Sequence, residues 1–175
     1  MLKRLFVLFY AFLDRGRDRP RRGKSPQDFT LDEVEALPWG HPALMSIACT
    51  HMDPATACVA ASKLKQTEQI RILLISQEAQ LSARLTVVDR LGHDEQLMLR
   101  IALSHDHAEL AERAAHHVKS PFCVKRLQQS AYPSVRIVGL LKTRDPLEIE
   151  RILKDADARV RERALAHLAK TSRPN

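Results

Sequence analysis

The stretch DADARVRERALAHLAK, residues 155–170, decides the fold. Its apolar residues Val160, Ala164, Leu165 and Leu168 have the spacing of one face of an α-helix. A helix with one apolar face needs another element to cover that face. The stretch is therefore either a single terminal helix or the last copy of a repeated unit, and the two alternatives predict different architectures.

The same apolar template occurs four more times upstream, with steps of 25, 25, 27 and 27 residues between copies. The second position of each copy is Ala, Gly or Val, a small side chain that lets two helices approach closely. A common period indicates a repeat, because unrelated amphipathic helices would not share a spacing. The earlier copies are Val135, Gly139, Leu140 and Thr143; Leu110, Ala114, Ala115 and Val118; Ala83, Val87, Val88 and Leu91; and Thr56, Ala60, Ala61 and Leu64.

A second apolar series lies between these copies and advances by 25, 27 and 27 residues. Proline also marks several helix starts, since the first helical turn tolerates a residue without an amide hydrogen. The members of the series are Ile149, Ile152 and Leu153; Val124, Leu127 and Gln128; Leu97, Arg100 and Ile101; Ile70, Leu73 and Leu74; and a weaker copy at Ala43 and Met45 to Ala48. The prolines are Pro42, Pro54, Pro121, Pro133 and Pro146.

These patterns predict an all-α protein, an α-solenoid or superhelix of about five helix pairs in which stacking makes one continuous core. The scarcity of glycine, five residues in 175, disfavours a β-sandwich or barrel. The predicted pairs are 42–66, 67–92, 93–120, 121–144 and 145–170. The predicted organisation is an apolar helix at 1–14, a basic linker at 15–28, a short capping helix at 29–41, the repeat domain at 42–170 and a tail at 171–175.

The second helix of each pair resembles the HEAT-like repeat, in the short form also found in bilin-lyase-type proteins. That family places an Asp in the turn between the helices and Val-Arg a few residues later, as in Asp155 with Val160 and Arg161. The resemblance implies a ladder of acids and arginines that pair between neighbouring repeats. Glu78 with Ala83-Arg84 and Ser130 with Val135-Arg136 follow the pattern, whereas His51 with Ala57 and His105 with Ala111 depart from it.

The residue seven positions beyond each template start is basic or a histidine in all five copies. In two copies the residue four positions earlier on the same side is an arginine. Stacked repeats would align these side chains as a basic strip suited to an acidic protein segment. The alternative is that they are solvated helix edges whose stems pack on neighbours. The predicted groove residues are Lys63, Arg90, Arg113, His117, Lys142, Arg163 and His167.

We find no catalytic motif: no phosphate-binding glycine loop, no GxSxG and no HExxH. The histidines of HDHAELAERAAHH, residues 105–117, lack the spacing of metal ligands on one helix face. Cys49, Cys58 and Cys123 are too sparse for a disulfide framework and are expected to be reduced. We therefore expect no enzyme activity, no cofactor and no metal.

The charge is concentrated at the N-terminus, because residues 1–24 hold +6 of the total charge of +7. The apolar run Leu5–Leu13 is too short to span a bilayer. It would either pack over the first repeat or lie in the cytoplasmic leaflet, helped by the basic cluster. Nucleic acid is a less favoured partner. The predicted anion-contact residues are Lys3, Arg4, Arg15, Arg17, Arg19, Arg21, Arg22 and Lys24.

The sequence thus predicts a cytoplasmic, non-enzymatic scaffold or adaptor that holds another protein, with an acidic segment, in its concave groove. One alternative is a peripheral protein at the inner membrane face, anchored by residues 1–24. The other is an enzyme of the lyase or DNA-glycosylase type, since the HEAT-like family also includes these and a di-iron hydroxylase.

Overall fold

The computed structural model describes residues 24–104 and 106–171. The expectations for residues 1–23, for His105 and for residues 172–175 lie outside the described residues. The described part is all-α: it contains eleven α-helices and no β-strand. The described part therefore has the all-α composition that the helical periodicity predicted.

The helices follow one another with short connections. Two 3₁₀ turns, Pro26–Asp28 and Val88–Leu91, precede α1 and follow α5. The helices are α1 Leu31–Ala36, α2 Ala43–Thr50, α3 Pro54–Ser62, α4 Thr67–Ile75, α5 Leu81–Val87, α6 Glu95–Ala102, α7 Ala108–His117, α8 Pro121–Leu127, α9 Pro133–Lys142, α10 Pro146–Ile152 and α11 Ala158–Thr171.

Side-chain caps fix several of the helix starts that proline predicted. The Thr56 backbone N–H donates to Asp53 Oδ2 at 2.8 Å, just before Pro54 begins α3. Asp145 caps α10 in the same way through the Leu147 N–H at 3.0 Å. An Asp before proline satisfies an amide that the first helical turn leaves unpaired. The predicted starts of α3 and α10 are confirmed.

The helices pack as pairs and as a row. Helix α2 contacts α3, and the same holds for α4 with α5, α6 with α7, α8 with α9 and α10 with α11. The second helices of the pairs also contact one another in chain order, α3 with α5, then α7, α9 and α11, and α1 contacts α3 at the start. We call this series of second helices the row.

The repeated template describes which side of each second helix is buried. Its first two positions are buried in all five copies, from Thr56 and Ala60 in α3 to Val160 and Ala164 in α11. The third position is buried four times, but Leu165 is 59% exposed. The prediction that Leu165 belongs to the apolar stripe is therefore wrong, because no described helix packs over that face of α11.

The core is divided, which corrects the prediction of one continuous core. One apolar cluster runs from Val34 to Val138, and a separate one surrounds Leu140, Ile149 and Val160. Two polar residues lie at the division. Gln128 stands where other first helices carry Leu or Ile, and Thr143 stands where earlier copies carry Leu or Val.

The first-helix series needs one further correction. Arg100 was predicted as its second member in α6, but the side chain is exposed. The neighbouring Met98, Leu99 and Ile101 are buried in its place. The periods of 25 and 27 residues therefore do not align every buried position of the first helices.

One ion pair of the kind that the resemblance implies lies between α9 and the turn that leads to α11. Arg136 donates to the Asp155 carboxylate through two bonds, Nε to Oδ2 at 2.7 Å and Nη2 to Oδ1 at 2.9 Å. Arg84 pairs with Asp106, one residue beyond the expected ladder position 105. Ala57 and Ala111 carry no cation to extend the series.

Within residues 24–104 and 106–171, no helix combines the length and apolarity that crossing a bilayer requires. The apolar run Leu5–Leu13 is not among these residues.

Candidate functional site

The first residue of the predicted basic strip binds the end of a neighbouring helix. Lys63 Nζ donates to the carbonyls of Val34 at 3.1 Å and Leu37 at 2.9 Å, and also to that of Glu35. These carbonyls lie at the C-terminal end of α1, which contacts α3 at the start of the row. Lys63 therefore acts as a C-terminal cap for α1.

Arg90 repeats this arrangement one repeat later. Its guanidinium donates to Ser62 O at 3.2 Å and to Leu64 O at 2.5 Å. Both carbonyls lie where α3 ends. The equivalent position of the second repeat thus caps the second helix of the first.

Lys142 does the same for the end of α7. Its ammonium group donates to Ala115 O at 2.9 Å, His116 O at 2.6 Å and Val118 O at 2.7 Å. The last carbonyls of a helix have no partner within the helix and carry partial negative charge. Lys63, Arg90 and Lys142 donate hydrogen bonds to these carbonyls and offset their partial negative charge. Part of the positive charge of the strip is therefore neutralised within the fold.

Lys142 lies near both an acid and another lysine. Burial lowers the pKa of its ammonium group below the ordinary value, and the charge of nearby Lys119 lowers it further, while Glu95 acts in the opposite direction. Glu95 Oε1 itself accepts the backbone N–H groups of Lys119 and Ser120, both at 2.6 Å. The carboxylate therefore organises the loop after α7 as well as offsetting charge.

In the third repeat, the predicted groove residues bind a side-chain carboxylate and not the backbone carbonyls of a helix end. His117 Nε2 lies 2.7 Å from Asp89 Oδ1, and Arg113 Nε donates to Asp89 Oδ2 at 3.1 Å. Asp89 belongs to the 3₁₀ turn after α5. The hydrogen bond from Arg113, with that from His117, holds the pKa of Asp89 below its ordinary value despite partial burial. Two predicted groove residues are thus joined by one acid.

The remaining two predicted residues lie on α11. Arg163 is exposed, and His167 is half-buried in the lining of a cleft. The seven predicted residues therefore lie along the row, but they do not share one role: three cap helix ends, two bind Asp89, and two lie on the last helix.

A cleft of about 830 Å³ lies where the row ends, between the C-terminal ends of α7 and α9, the start of α10 and the last helix. We call it the terminal cleft. None of its described lining residues is acidic. The lining is Val118, Lys119, Leu141, Lys142, Thr143, Arg144, Pro146, Ile149, His167 and Leu168.

One template position beside the terminal cleft is polar. Leu64, Leu91 and Val118, which are buried, occupy the fourth template position in the first three repeats. In the fourth repeat that position is Thr143, which is half-buried and lines the cleft. The end of α9 therefore presents a hydroxyl where the earlier second helices end on a buried apolar side chain.

Lys119 and Arg144 are exposed cations that the sequence reasoning missed. They occupy equivalent loop positions, two residues beyond His117 and Lys142, and Lys65 is their counterpart after α3. Unlike Lys142, neither side chain makes a hydrogen bond or ion pair with the described residues. Extending the repeat template by two positions would have identified all three.

A second, smaller cleft of about 250 Å³ lies between α8 and α10. Its charges compensate one another: Glu148 accepts from Lys125 at 2.7 Å and from Arg151 at 3.3 Å. The hydrogen bond from Lys125, aided by Arg151, keeps the pKa of Glu148 below its ordinary value. This cleft consequently lacks the uniform charge of the terminal cleft.

The possible nucleophiles and metal ligands of the described part are the cysteines and any clusters of His, Cys, Asp and Glu side chains. Burial, together with the charge of Glu78, raises the pKa of the Cys49 thiol to about 11, so it is protonated at neutral pH. Among the described residues, no group of three or more His, Cys, Asp or Glu side chains converges as a metal site would.

When the chain is compared with protein-family models, with curated proteins and with solved structures, nothing matches.

Proposed function

We propose that the chain is an α-solenoid of HEAT-like repeats that acts as a non-enzymatic scaffold or adaptor, and that it holds an acidic segment of another protein along its row of second helices. The observation that carries the proposal is the unbroken contact series α3, α5, α7, α9 and α11. In a solenoid, such a series presents one extended surface to a partner.

The charge along the edge of the row supports an acidic partner. The capping cations lie at the helix ends, and Lys65, Lys119 and Arg144 extend beyond them into solvent from the connecting loops. Exposed cations of this kind raise the association rate with an acidic partner and select against basic ones. Charges already bound to carbonyls contribute less, so the loop lysines and arginine are the stronger candidates for contact.

The composition of the terminal cleft supports binding in preference to catalysis. Its described lining offers cations, a hydroxyl and aliphatic side chains, but no aromatic ring and no carboxylate. Base capture by a DNA glycosylase uses aromatic stacking, and glycosidic chemistry uses a carboxylate. The cleft instead has the groups that recognise an anion.

Site-specific photo-crosslinking in cells of the native host tests the scaffold proposal. A benzophenone amino acid replaces Arg113 or Arg163 on the second helices. The matched positions Arg100 and Arg126 are also exposed arginines, but they lie on the first helices α6 and α8. The readout is the yield of protein adducts and the sequence of the crosslinked partner peptide.

The proposal predicts adducts from positions 113 and 163 that map to acidic segments, and much lower yields from 100 and 126. Equal yields from both helix sets would overturn it, as would adducts that form only through the first helices.

A further inference from the structure

We infer that the terminal cleft is the docking site for a partner segment in which an apolar side chain is flanked by carboxylates. The inference rests on the proposed scaffold function and specifies where along the row the segment is held and what chemistry it carries.

The cations at the mouth of the cleft select the carboxylates. Lys119 and Arg144 follow the ends of α7 and α9, and both side chains are exposed. A carboxylate on either side of a docked residue could reach one of them. Because neither cation has a partner among the described residues, binding does not require an existing ion pair to break.

The walls of the cleft select the apolar side chain. Val118 and Ile149 are buried beneath it, Leu168 is half-buried, and Leu141 is 52% exposed at its edge. A volume of about 830 Å³ lies within the usual range of ligand pockets, roughly 300 to 1,000 Å³. Covering Leu141 and the cleft walls would remove apolar surface from water, which favours binding.

Lys142 adds a reason for anion binding. Its ammonium group is partly buried beside Lys119, and both conditions lower its pKa. A carboxylate in the cleft would lessen the repulsion between the two lysines. Glu95, the acid that offsets their charge, is held by backbone N–H groups of the loop and does not line the cleft.

The shape and lining favour a peptide over the two other anionic partners. A membrane surface is flat and cannot enter a cleft between helix ends. Single-stranded nucleic acid is usually held by aromatic stacking along a groove, and no aromatic side chain is among the described lining residues. A peptide can place one apolar side chain inside and its carboxylates at the mouth.

Fluorescence anisotropy with the full chain tests the assignment. The probe is a fluorescein-labelled peptide with a single leucine flanked on both sides by glutamates. Comparison probes replace the glutamates by glutamine or the leucine by serine. Labelled single-stranded DNA and phosphatidylserine vesicles, the latter by sedimentation, represent the other anionic partners.

Two pairs of variants separate the cleft from general charge and surface effects. Lys119→Glu with Arg144→Glu is compared with Arg100→Glu and Arg126→Glu, which makes the same change in net charge at exposed positions of the first helices, outside the cleft. Leu141→Ser is compared with Leu165→Ser, since both leucines are about equally exposed but only Leu141 lines the cleft. Circular dichroism verifies folding of each variant.

We expect K119E/R144E to weaken peptide binding by about tenfold or more, as losing or reversing two ion pairs would. Leu141→Ser should weaken binding by about threefold to tenfold, while each control pair stays within about twofold of the wild type. Replacing either the glutamates or the leucine of the peptide should have a comparable effect.

The inference is overturned if the control pair weakens binding as much as K119E/R144E. It is also overturned if DNA or vesicles bind more tightly than the peptide and lose that binding with K119E/R144E. If the peptide does not bind but positions 113 and 163 form crosslinks, the terminal cleft is not the docking site, whereas the scaffold proposal still holds. Absent crosslinks would remove the scaffold proposal itself.

Discussion

Arg136 and Asp155 form a two-bond ion pair between α9 and the turn that precedes α11. Both side chains are largely enclosed, with relative exposures of 13% and 12%. Arg136 Nη1 also donates to Ser130 O at 2.9 Å, in the turn between α8 and α9. One guanidinium therefore links the turn of its own repeat to that of the next.

Removing either partner of this pair should destabilise the fold. We expect Arg136→Ala to lower the free energy of unfolding by about 3 kcal/mol, because the remaining carboxylate would be enclosed without its partner. A double-mutant cycle with Asp155→Ala, measured by urea unfolding, should give a coupling of at least about 1 kcal/mol. The control pair Arg159 and Asp157 is more exposed, at 75% and 22%, and its coupling should be clearly smaller because solvent screens it. Equal couplings would contradict the ladder as a link between repeats.

The capping role of Lys142 gives a second prediction. Lys142→Met keeps the aliphatic stem but leaves the carbonyls of Ala115, His116 and Val118 without their shared donor. We expect a loss of about 2 kcal/mol in urea unfolding, since hydrogen bonds to charged groups are stronger than neutral ones. Lys154→Met, at an exposed position, should change stability by less than about 0.5 kcal/mol. If both substitutions have equal effects, Lys142 is not a cap.

Gly92 and His117 should be energetically coupled. A Cβ atom on Gly92 would lie 2.3 Å from His117 Nδ1, so the imidazole would have to move away from Asp89. Gly92 has helical backbone angles, with φ of −57°, which alanine adopts without strain. Gly92→Ala should cost about 1 kcal/mol in the wild type but be neutral or stabilising by about 0.5 kcal/mol in His117→Ala. The same effect in both backgrounds would show that the ring is not packed against Gly92.

Asp89 predicts a dependence of stability on pH. Its pKa is lowered in the folded chain by the hydrogen bonds from Arg113 and His117, whereas the unfolded chain has the ordinary aspartate value of 3.8. The carboxylate's contribution is therefore present above that value and is lost as the pH falls through the lower, folded pKa. The stability difference between the wild type and Asp89→Asn, measured by urea unfolding, should be largest near neutral pH and should shrink below about pH 4. A difference that does not vary with pH would contradict this role.

The sequence predicted the helices well because their signals are local. Asp53-Pro54 and Asp145-Pro146 mark helix starts through bonds within a single turn. The template positions at Val160 and Ala164 were correct because they repeat the core contacts of earlier copies. Leu165 could not be placed in the same way, since its exposure depends on what packs against the outside of α11.

The functional residues were harder to predict because their partners are distant in sequence. The helical pattern located Lys142 on the correct edge of α9, but it gave no indication that the ammonium group would reach the end of α7. Asp106 was missed because a strict repeat register pointed to position 105. Thr143 appeared as one weak template match, whereas in the structure it lines the terminal cleft.

The predicted anchoring by residues 1–24 remains a separate question. Leu5–Leu13 and most of the neighbouring cations lie outside the described residues, and the charge of +6 in this stretch is an independent source of anion binding. Peptide binding should therefore be compared among variants that all retain the arm. Deleting residues 1–24 and measuring sedimentation with phosphatidylserine vesicles tests the membrane prediction by itself.

Hydrogen exchange of the full chain, with and without the glutamate-flanked leucine peptide, tests the central claim most directly. If an acidic segment is held where the row of second helices ends, saturating peptide should slow amide exchange around Val118, around Thr143 and in the second half of α11. Exchange in α2 and α4 should not change. Unchanged exchange at the terminal cleft, or protection confined to the first helices, would contradict the account.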